Sequence, residues 1–179
     1  MREKFKFKIY ILPIILIGIL VSIDQLSKSI IRGHFELYES KNIINKLFSF
    51  TYIHNEGMAW GMLEGKRIIF IILTVVILFA CFFVYSNIYN ISKYAPVKYG
   101  IIVLMSGALG NMIDRIEYGY VIDFIEFDFI DFPIFNIADI YVVLSMILLF
   151  AVLIFRYSNE EFDEILGIKQ HGRKNNDSN

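Results

Sequence analysis

Cysteine and charged residues are both scarce in this chain. Its 179 residues include one cysteine, Cys81, so no disulfide can form within the chain. Only 20% of the residues are charged, whereas soluble domains carry about a quarter. The 17 basic and 18 acidic residues nearly cancel to a net charge of −1, and no basic stripe suggests a nucleic-acid partner. Together with a hydrophobic content of 56% and a mean hydropathy of +0.56, the low charge indicates an integral membrane protein.

The common signatures of hydrolytic enzymes are missing as well. The three histidines do not form the His-Glu-x-x-His pattern of a zinc protease. No Gly-x-Ser-x-Gly elbow supplies a serine nucleophile. Cys81 lies in an apolar run without a polar neighbour to activate it. Gly107 and Gly110 do not belong to a phosphate-binding loop and are better explained by close helix packing. We therefore expect neither a metal ion nor another cofactor.

Long apolar runs, in contrast, are abundant and predict membrane-spanning helices. A helix needs about 20 apolar residues to cross the hydrocarbon layer. Four apolar runs predict such spans, at residues 9–31, 68–85, 99–113 and 136–155. The first follows a basic stretch as in a signal peptide, but no small-x-small cleavage site comes after it, so we interpret it as a retained span.

The segment between the first two runs has a different pattern. Phe48, Phe50 and Tyr52 alternate with small polar residues, which is the period of a β-strand. Trp60 suits the aromatic belt at a membrane surface. The predicted fold is thus an all-α integral membrane protein with four transmembrane helices and a small extracytoplasmic β-structure at the membrane surface. Residues 1–158 form one domain, and residues 159–179 are expected to be a polar, disordered cytoplasmic tail.

The distribution of basic residues predicts the orientation. Cytoplasmic segments carry an excess of lysine and arginine. The N-terminal residues 2–8, the turn with Lys93 and Lys98, and Arg156 would then lie in the cytoplasm, and both termini with them. Residues 117–133 contain five acids and no lysine or arginine, so we expect an external loop there. The protein would reside in the cytoplasmic membrane.

Short polar islands between the apolar runs carry the candidate chemistry. Ionisable residues in a membrane usually face the interior of the helix bundle and mark a functional site. Asp123 and Asp139 are candidates for a pair, because two carboxyl groups in a low dielectric cannot both ionise easily. Such a pair can activate a water molecule and protonate a leaving amine, which is peptide hydrolysis without a metal. Spacing alone leaves open that Asp139 pairs with a neighbouring span and that Asp123 is a solvated loop acid.

The remaining polar residues have local partners in the sequence. Asn136 and Asp139 are three apart and share a helix face, and Asp24 and Lys28, four apart, could form an ion pair. We expect Glu126, Asp128 and Asp131 to be solvated charges.

Two other functions stay open on these observations. A small transporter or proton relay also uses membrane Asp, Asn and Arg, but it would need polar groups across the whole depth of the membrane. A structural membrane subunit is the third possibility.

Five motifs in the sequence resemble, in order, those of the lipoprotein signal peptidases, the type II signal peptidases of bacteria. They are Asp24-Gln-x-Ser-Lys28, Asn55-x-Gly57-x-Ala-Trp-Gly61, Gly107-Ala-Leu-Gly-Asn-x-x-Asp-Arg115, Val121-x-Asp-Phe-Ile125 and Phe135-Asn-x-Ala-Asp139.

The resemblance implies an aspartic protease that cleaves the signal peptide of a prolipoprotein just before a diacylglyceryl-modified cysteine. By motif, Asp123 and Asp139 are the catalytic pair. The substrate backbone or the pair would be held by Asn55, Asn111, Arg115 and Asn136. Asp24 and Lys28 would be structural or lipid-facing partners, and Asp114 and Gly110 would be structural. The β-structure would form a cradle for the substrate. The resemblance further implies contact with membrane lipid and inhibition by globomycin-type cyclic peptides, and we expect a monomer.

Overall fold

A computed structural model describes residues 2–57 and 66–168, with side chains from Tyr10 onwards in the first segment. The five α-helices of these residues are α1 (Arg2–His34), α2 (Arg67–Ile88), α3 (Ala95–Glu117), α4 (Ile137–Phe155) and α5 (Asn159–Ile165). The three strands are β1 (Ser40–Ile44), β2 (Phe48–Asn55) and β3 (Val121–Phe127). Trp60 lies outside the described residues.

Four of the helices are long and apolar enough to cross a membrane, within the described part of the chain. They are α1 from Tyr10 onwards, α2, α3 with the short 3-10 turn before it, and α4. The prediction of four spans is therefore confirmed. Most of their apolar side chains stay exposed on the protein surface, as expected where apolar lipid tails rather than water surround the helices.

Helix α3 lies at the centre of the bundle and contacts α1, α2 and α4. Its contact with α4 is close because small residues face it. A Cβ atom on Gly107 would lie 2.4 Å from the carbonyl oxygen of Ala138, a distance that no side chain tolerates. Small residues permit such backbone approach between helices in lipid. The sequence-based assignment of this stretch to helix packing is consistent with that contact.

The strands form one antiparallel sheet in the order β1-β2-β3. Phe50 pairs with Ile125 and Asn55 with Val121, so β3 runs beside the whole length of β2. Tyr52 is buried with Ile122 and Phe124 against the end of α1, in the cluster that joins the sheet to the helices. The alternation in β2 predicted this strand correctly.

Two predictions for other segments need correction. Residues 117–133 were expected to be a loop, but Val121–Phe127 is strand β3. The expected disordered tail also begins with structure: α5 is capped by Ser158, whose Oγ accepts from Glu161 N at 3.4 Å. Ile165 of this helix is buried with Ile88 and Tyr94, so apolar burial orders the start of the tail. Residues 169–179 lie outside the described part.

Candidate active site

Asp123 and Asp139 line the same cavity, although they come from different elements. Asp123 lies within β3 and is 1% exposed, and Asp139 is half-buried in the first turn of α4. The cavity has a volume of about 380 Å³ and is also lined by Asn55, Asn111 and Arg115. The sequence-predicted pair is therefore brought together with three of its four predicted supporting residues.

Two asparagine side chains hold the carboxylate of Asp123. Asn55 Nδ2 donates to Oδ2 at 2.8 Å, and Asn136 Nδ2 donates to Oδ1 at 2.6 Å. The amide of Asn55 is oriented by a further hydrogen bond, because its Oδ1 accepts from the backbone N of Gly57 at 3.0 Å. Asn55 ends β2, so the register of the β2–β3 pair is what aims this donor at Asp123.

Asp139 is held by the geometry of a helix N-terminus. Asn136 caps α4: its Oδ1 accepts from Asp139 N at 3.0 Å, and Asp139 Oδ2 accepts from Asn136 N at 3.1 Å. This reciprocal pair is a capping box. The other oxygen, Oδ1, accepts from Asn111 Nδ2 at 2.8 Å. Each of the four carboxylate oxygens thus accepts one amide hydrogen, which fixes both carboxylates and leaves each oxygen a second lone pair.

A buried cluster around Lys28 holds residues that contact Asp139 and the backbone beside both aspartates. Lys28 is 1% exposed, and its ammonium contacts Asp24 at 2.9 Å, Asp114 at 2.8 Å and Asn111 Oδ1 at 2.9 Å. Because Asn111 Oδ1 faces the ammonium, its Nδ2 must face Asp139. The prediction that Asp24 pairs with Lys28 is correct, and both side chains are too deeply buried to face lipid.

The two acids of this cluster each hold the backbone beside one member of the pair. Asp24 Oδ1 accepts from Ala138 N at 3.0 Å, next to Asp139. Asp114 Oδ2 accepts from Ile122 N at 3.2 Å, next to Asp123. The cluster therefore links α1 and α3 to β3 and α4 at the points where the pair is attached.

Two further residues complete the cluster. Gln25 Nε2 donates to Asp114 Oδ1 at 2.8 Å and to the carbonyl oxygen of Gly110 at 3.1 Å. The motif that contains Gln25 predicted no role for it, and its position next to Asp24 was the available signal. A Cβ on Gly110 would lie 2.5 Å from Asp24 Oδ2, so this position requires glycine.

Arg115 forms one side of the cavity. Its guanidinium donates to the carbonyl oxygens of Gly57 and Asn111, each at 3.3 Å, and lies 4.6 Å from the ring centre of Phe70. It connects α3 with the chain after β2 and with α2. The guanidinium does not contact either aspartate directly, which leaves it available to a ligand in the cavity.

The electrostatics of Asp123 differ from those of a solvated acid. Burial, and after it the charge of Asp139, raises the pKa of Asp123 from 3.8 to about 7. The donors Asn55 and Asn136 and the charge of Lys28 act in the opposite direction. A carboxyl group of this kind can hold a proton at neutral pH beside an ionised neighbour.

The acids Glu126, Asp128 and Asp131 are only partly as predicted. Asp128 accepts from Ser49 Oγ at 2.8 Å and from Asn42 Nδ2 at 3.1 Å, and Glu126 accepts from Thr51. These two acids therefore tie the strands together, because β-pairing places polar partners beside them. Asp131 is exposed, as expected.

Sequence reasoning missed the apolar lining of the cavity. This apolar lining consists of Phe70, Val121 and residues 132–135. The signal was weak, since each of these residues also fits an ordinary span or loop.

Two carboxylates held by amide donors, at one end of a bundle of four apolar helices, define a membrane protein with a carboxylate-pair site. A sequence model described as signal peptidase (SPase) II matches residues 16–155. The chain belongs to the signal peptidase II family, a family of bacterial membrane proteases.

Known relatives and solved structures agree with this assignment. A lipoprotein signal peptidase of Enterococcus faecalis is 39% identical over 137 residues, which cover 76% of this chain and 84% of the relative. The protein of the same name from Moorella thermoacetica is 37% identical over 144 residues, 77% of this chain and 90% of the relative. A solved bacterial membrane enzyme is 36% identical with a TM-score of 0.74, covering 83% of this chain and 90% of that one. A second has 35% identity, a TM-score of 0.70 and coverages of 81% and 94%.

Proposed function

We propose that this protein is an aspartic endopeptidase that removes signal peptides from diacylglyceryl-modified prolipoproteins, cutting on the N-terminal side of the lipidated cysteine. The observation that carries the proposal is the shared cavity of Asp123 and Asp139, in which every carboxylate oxygen has an amide donor. Membership of the family supports the substrate class.

The reaction needs one ionised and one protonated carboxyl group. We assign the proton to Asp123, whose raised pKa supports it, and the role of base to Asp139. A water between them loses a proton to Asp139 as its oxygen attacks the scissile carbonyl carbon. Asp123 then gives its proton to the nitrogen of the cysteine as the peptide bond breaks, and the water proton on Asp139 returns to Asp123 after product release. Protons balance, and neither a metal nor a covalent intermediate is needed.

The neighbours of the pair have supporting roles in this proposal. Arg115 and Asn55, which line the cavity, would donate to carbonyl oxygens of the substrate backbone. Asn111 and Asn136 keep the carboxylates in place. A globomycin-type peptide would compete for the same cavity.

The orientation is part of the proposal. The basic residues of the N-terminus and of the turn with Lys93 and Lys98 favour a cytoplasmic position for the termini, and the acidic segment 117–133 favours the outside. The carboxylate pair, at the end of α3 that leads into this segment, would then lie near the outer leaflet, where a translocated precursor presents its cysteine.

One panel of variants tests the proposal. The full chain in detergent is given a precursor with a diacylglyceryl-cysteine, and mass spectrometry identifies the new N-terminus. Asp123→Asn and Asp139→Asn should each lower kcat by at least about 10²–10⁴-fold, because asparagine keeps the shape but transfers no proton. The double variant should be little worse than either single one, since the two groups act as a unit.

Asp131→Asn is the matched control, because it makes the same change at an exposed acid, and it should cleave normally. Activity should survive EDTA. Full activity of Asp139→Asn, or loss of activity on chelation, would assign different chemistry to the site.

A further inference from the structure

The candidate cavity is lined by polar and by apolar residues, and the proposed reaction uses only the polar ones. Asn55, Asn111, Arg115 and the two aspartates form the polar side. The remaining lining, the apolar side, consists of Phe70, Val121 and residues 132–135. Peptide hydrolysis needs polar groups at the scissile bond, so it does not account for the apolar side.

Residues 128–135 hold this apolar side in place. Phe135 pairs with Ile125 through backbone hydrogen bonds of 2.7 and 3.0 Å, and Asp128 N donates to Leu47 O at 3.2 Å. The ring of Phe132 meets that of Phe135 edge-on at 5.8 Å. The side chain of Phe132 therefore forms a wall of the cavity, and the backbone hydrogen bonds of this segment and the ring of Phe135 hold it in place.

The side chain of Phe132 is also partly exposed, and exposed apolar residues precede it in the chain. Phe132 is 47% exposed, and its neighbours Ile130 and Phe129 are 49% and 60% exposed. Exposed apolar side chains are expected wherever lipid surrounds the protein, but the Phe132 side chain also lines the cavity of the two aspartates, so a ligand bound there can cover it.

The size of the cavity limits what it can enclose. Its volume of about 380 Å³ is near the lower end of the range for ligand pockets, about 300–1,000 Å³. The proposed substrate brings a peptide backbone and a thioether-linked glycerol with two acyl chains to the same place. These groups exceed the cavity, so the chains must leave it over an apolar part of the rim.

We propose that Phe132 is a specificity-determining residue that packs against an acyl chain of the substrate's diacylglyceryl group. This inference rests on the proposed function. The exposed half of the Phe132 ring is covered by the chain when the lipidated cysteine reaches the aspartates. The wall thereby selects long-chain lipidated precursors.

The test compares two precursors with the same peptide, one carrying palmitoyl and one carrying butyryl chains on the glycerol. The wild-type chain should cleave the palmitoyl precursor with the higher kcat/KM. Covering the exposed half of a Phe ring is worth about a tenfold change, so Phe132→Ala should raise KM for the palmitoyl precursor about tenfold. Its kcat should change little, and its cleavage of the butyryl precursor should match wild type.

Two further variants separate packing from damage to the fold. Phe132→Leu keeps an apolar side chain and should retain most of the preference for palmitoyl. Phe155→Ala removes an exposed ring at the other end of α4 and should leave both precursors unaffected.

Equal losses on both precursors, or an unchanged palmitoyl preference in Phe132→Ala, would overturn the inference while leaving the proposed function intact. Failure of the wild-type chain to cleave either precursor would overturn both.

Discussion

Replacing Lys28 with methionine tests whether the buried ion cluster holds the site together. The ammonium of Lys28 has three acceptors, Asp24, Asp114 and Asn111, at 2.8–2.9 Å. An ammonium carries three hydrogens, so all of them are used within the protein. Methionine has a similar length and no charge, and it would leave two buried carboxylates facing each other.

The expected cost follows from the burial of the cluster. Both carboxylates are fully buried and Lys28 is 1% exposed, so water cannot replace the lost cation. Breaking a buried ion pair by removing one partner costs about 3–5 kcal/mol. Asn111 would also lose the contact that orients its amide, so its hydrogen bond to Asp139 would weaken. We expect a large drop in the midpoint of thermal unfolding and a lower kcat in the protein that remains folded.

The assay measures thermal unfolding and precursor cleavage of the full chain in one detergent. Lys41→Met is the matched control, because Lys41 forms an exposed ion pair with Glu39 at 3.1 Å. Water screens that pair, so its loss should change little. Adding Asp114→Asn to Lys28→Met should recover part of the stability, since it removes one of the uncompensated charges. If Lys28→Met unfolds no earlier than Lys41→Met, the cluster does not hold the site.

Two further predictions concern pH and helix packing. Because burial and Asp139 raise the pKa of Asp123 to about 7, kcat should fall as pH rises through neutrality and Asp123 loses its proton. The same shift stabilises the fold most below about pH 4, and this stabilisation is lost as the pH rises towards 7. Asp123→Asn should abolish this pH dependence of stability. A pH-independent kcat between pH 6 and 8 would contradict the assignment of the proton to Asp123. Gly107→Ala should cost about 1–3 kcal/mol and lower activity, since the added methyl meets Ala138 O beside the site. Gly18→Ala, with nothing within 4 Å of the new Cβ, should be neutral or stabilising in thermal unfolding, and equal effects of the two changes would contradict the packing argument.

Local patterns in the sequence were sufficient for the spans and for several contacts. A membrane span depends only on a contiguous apolar run of adequate length, so α1 to α4 could be predicted without knowing their neighbours. Contacts three or four residues apart are equally local, as in the Asp24–Lys28 pair and the capping box of Asn136 and Asp139. The family motifs also identified both candidate aspartates in advance.

Strand β3 shows where the pattern fails. Val121 to Ile125 are all buried, so this strand has no alternation of apolar and polar residues to reveal it. It forms only because β2, far earlier in the chain, supplies its hydrogen-bonding partner and α1 covers one of its faces. The acidic composition therefore predicted a loop, whereas the segment forms a strand through pairing with residues far away in the sequence.

The sequence by itself determined the spans, the polar islands between them and the helix-local pairs, because a span depends on its own apolar run and such a pair on neighbours within one helical turn. Only the tertiary structure decided which oxygen each amide reaches. Asn55 meets Asp123 across 68 residues, and Lys28 meets Asn111 across 83, through the β2–β3 register and the α1–α3 contact. The apolar wall at Phe132 likewise depends on the backbone hydrogen bonds between Phe135 and Ile125. Such contacts are set by packing and long-range hydrogen bonds, whose partners are not adjacent in the chain.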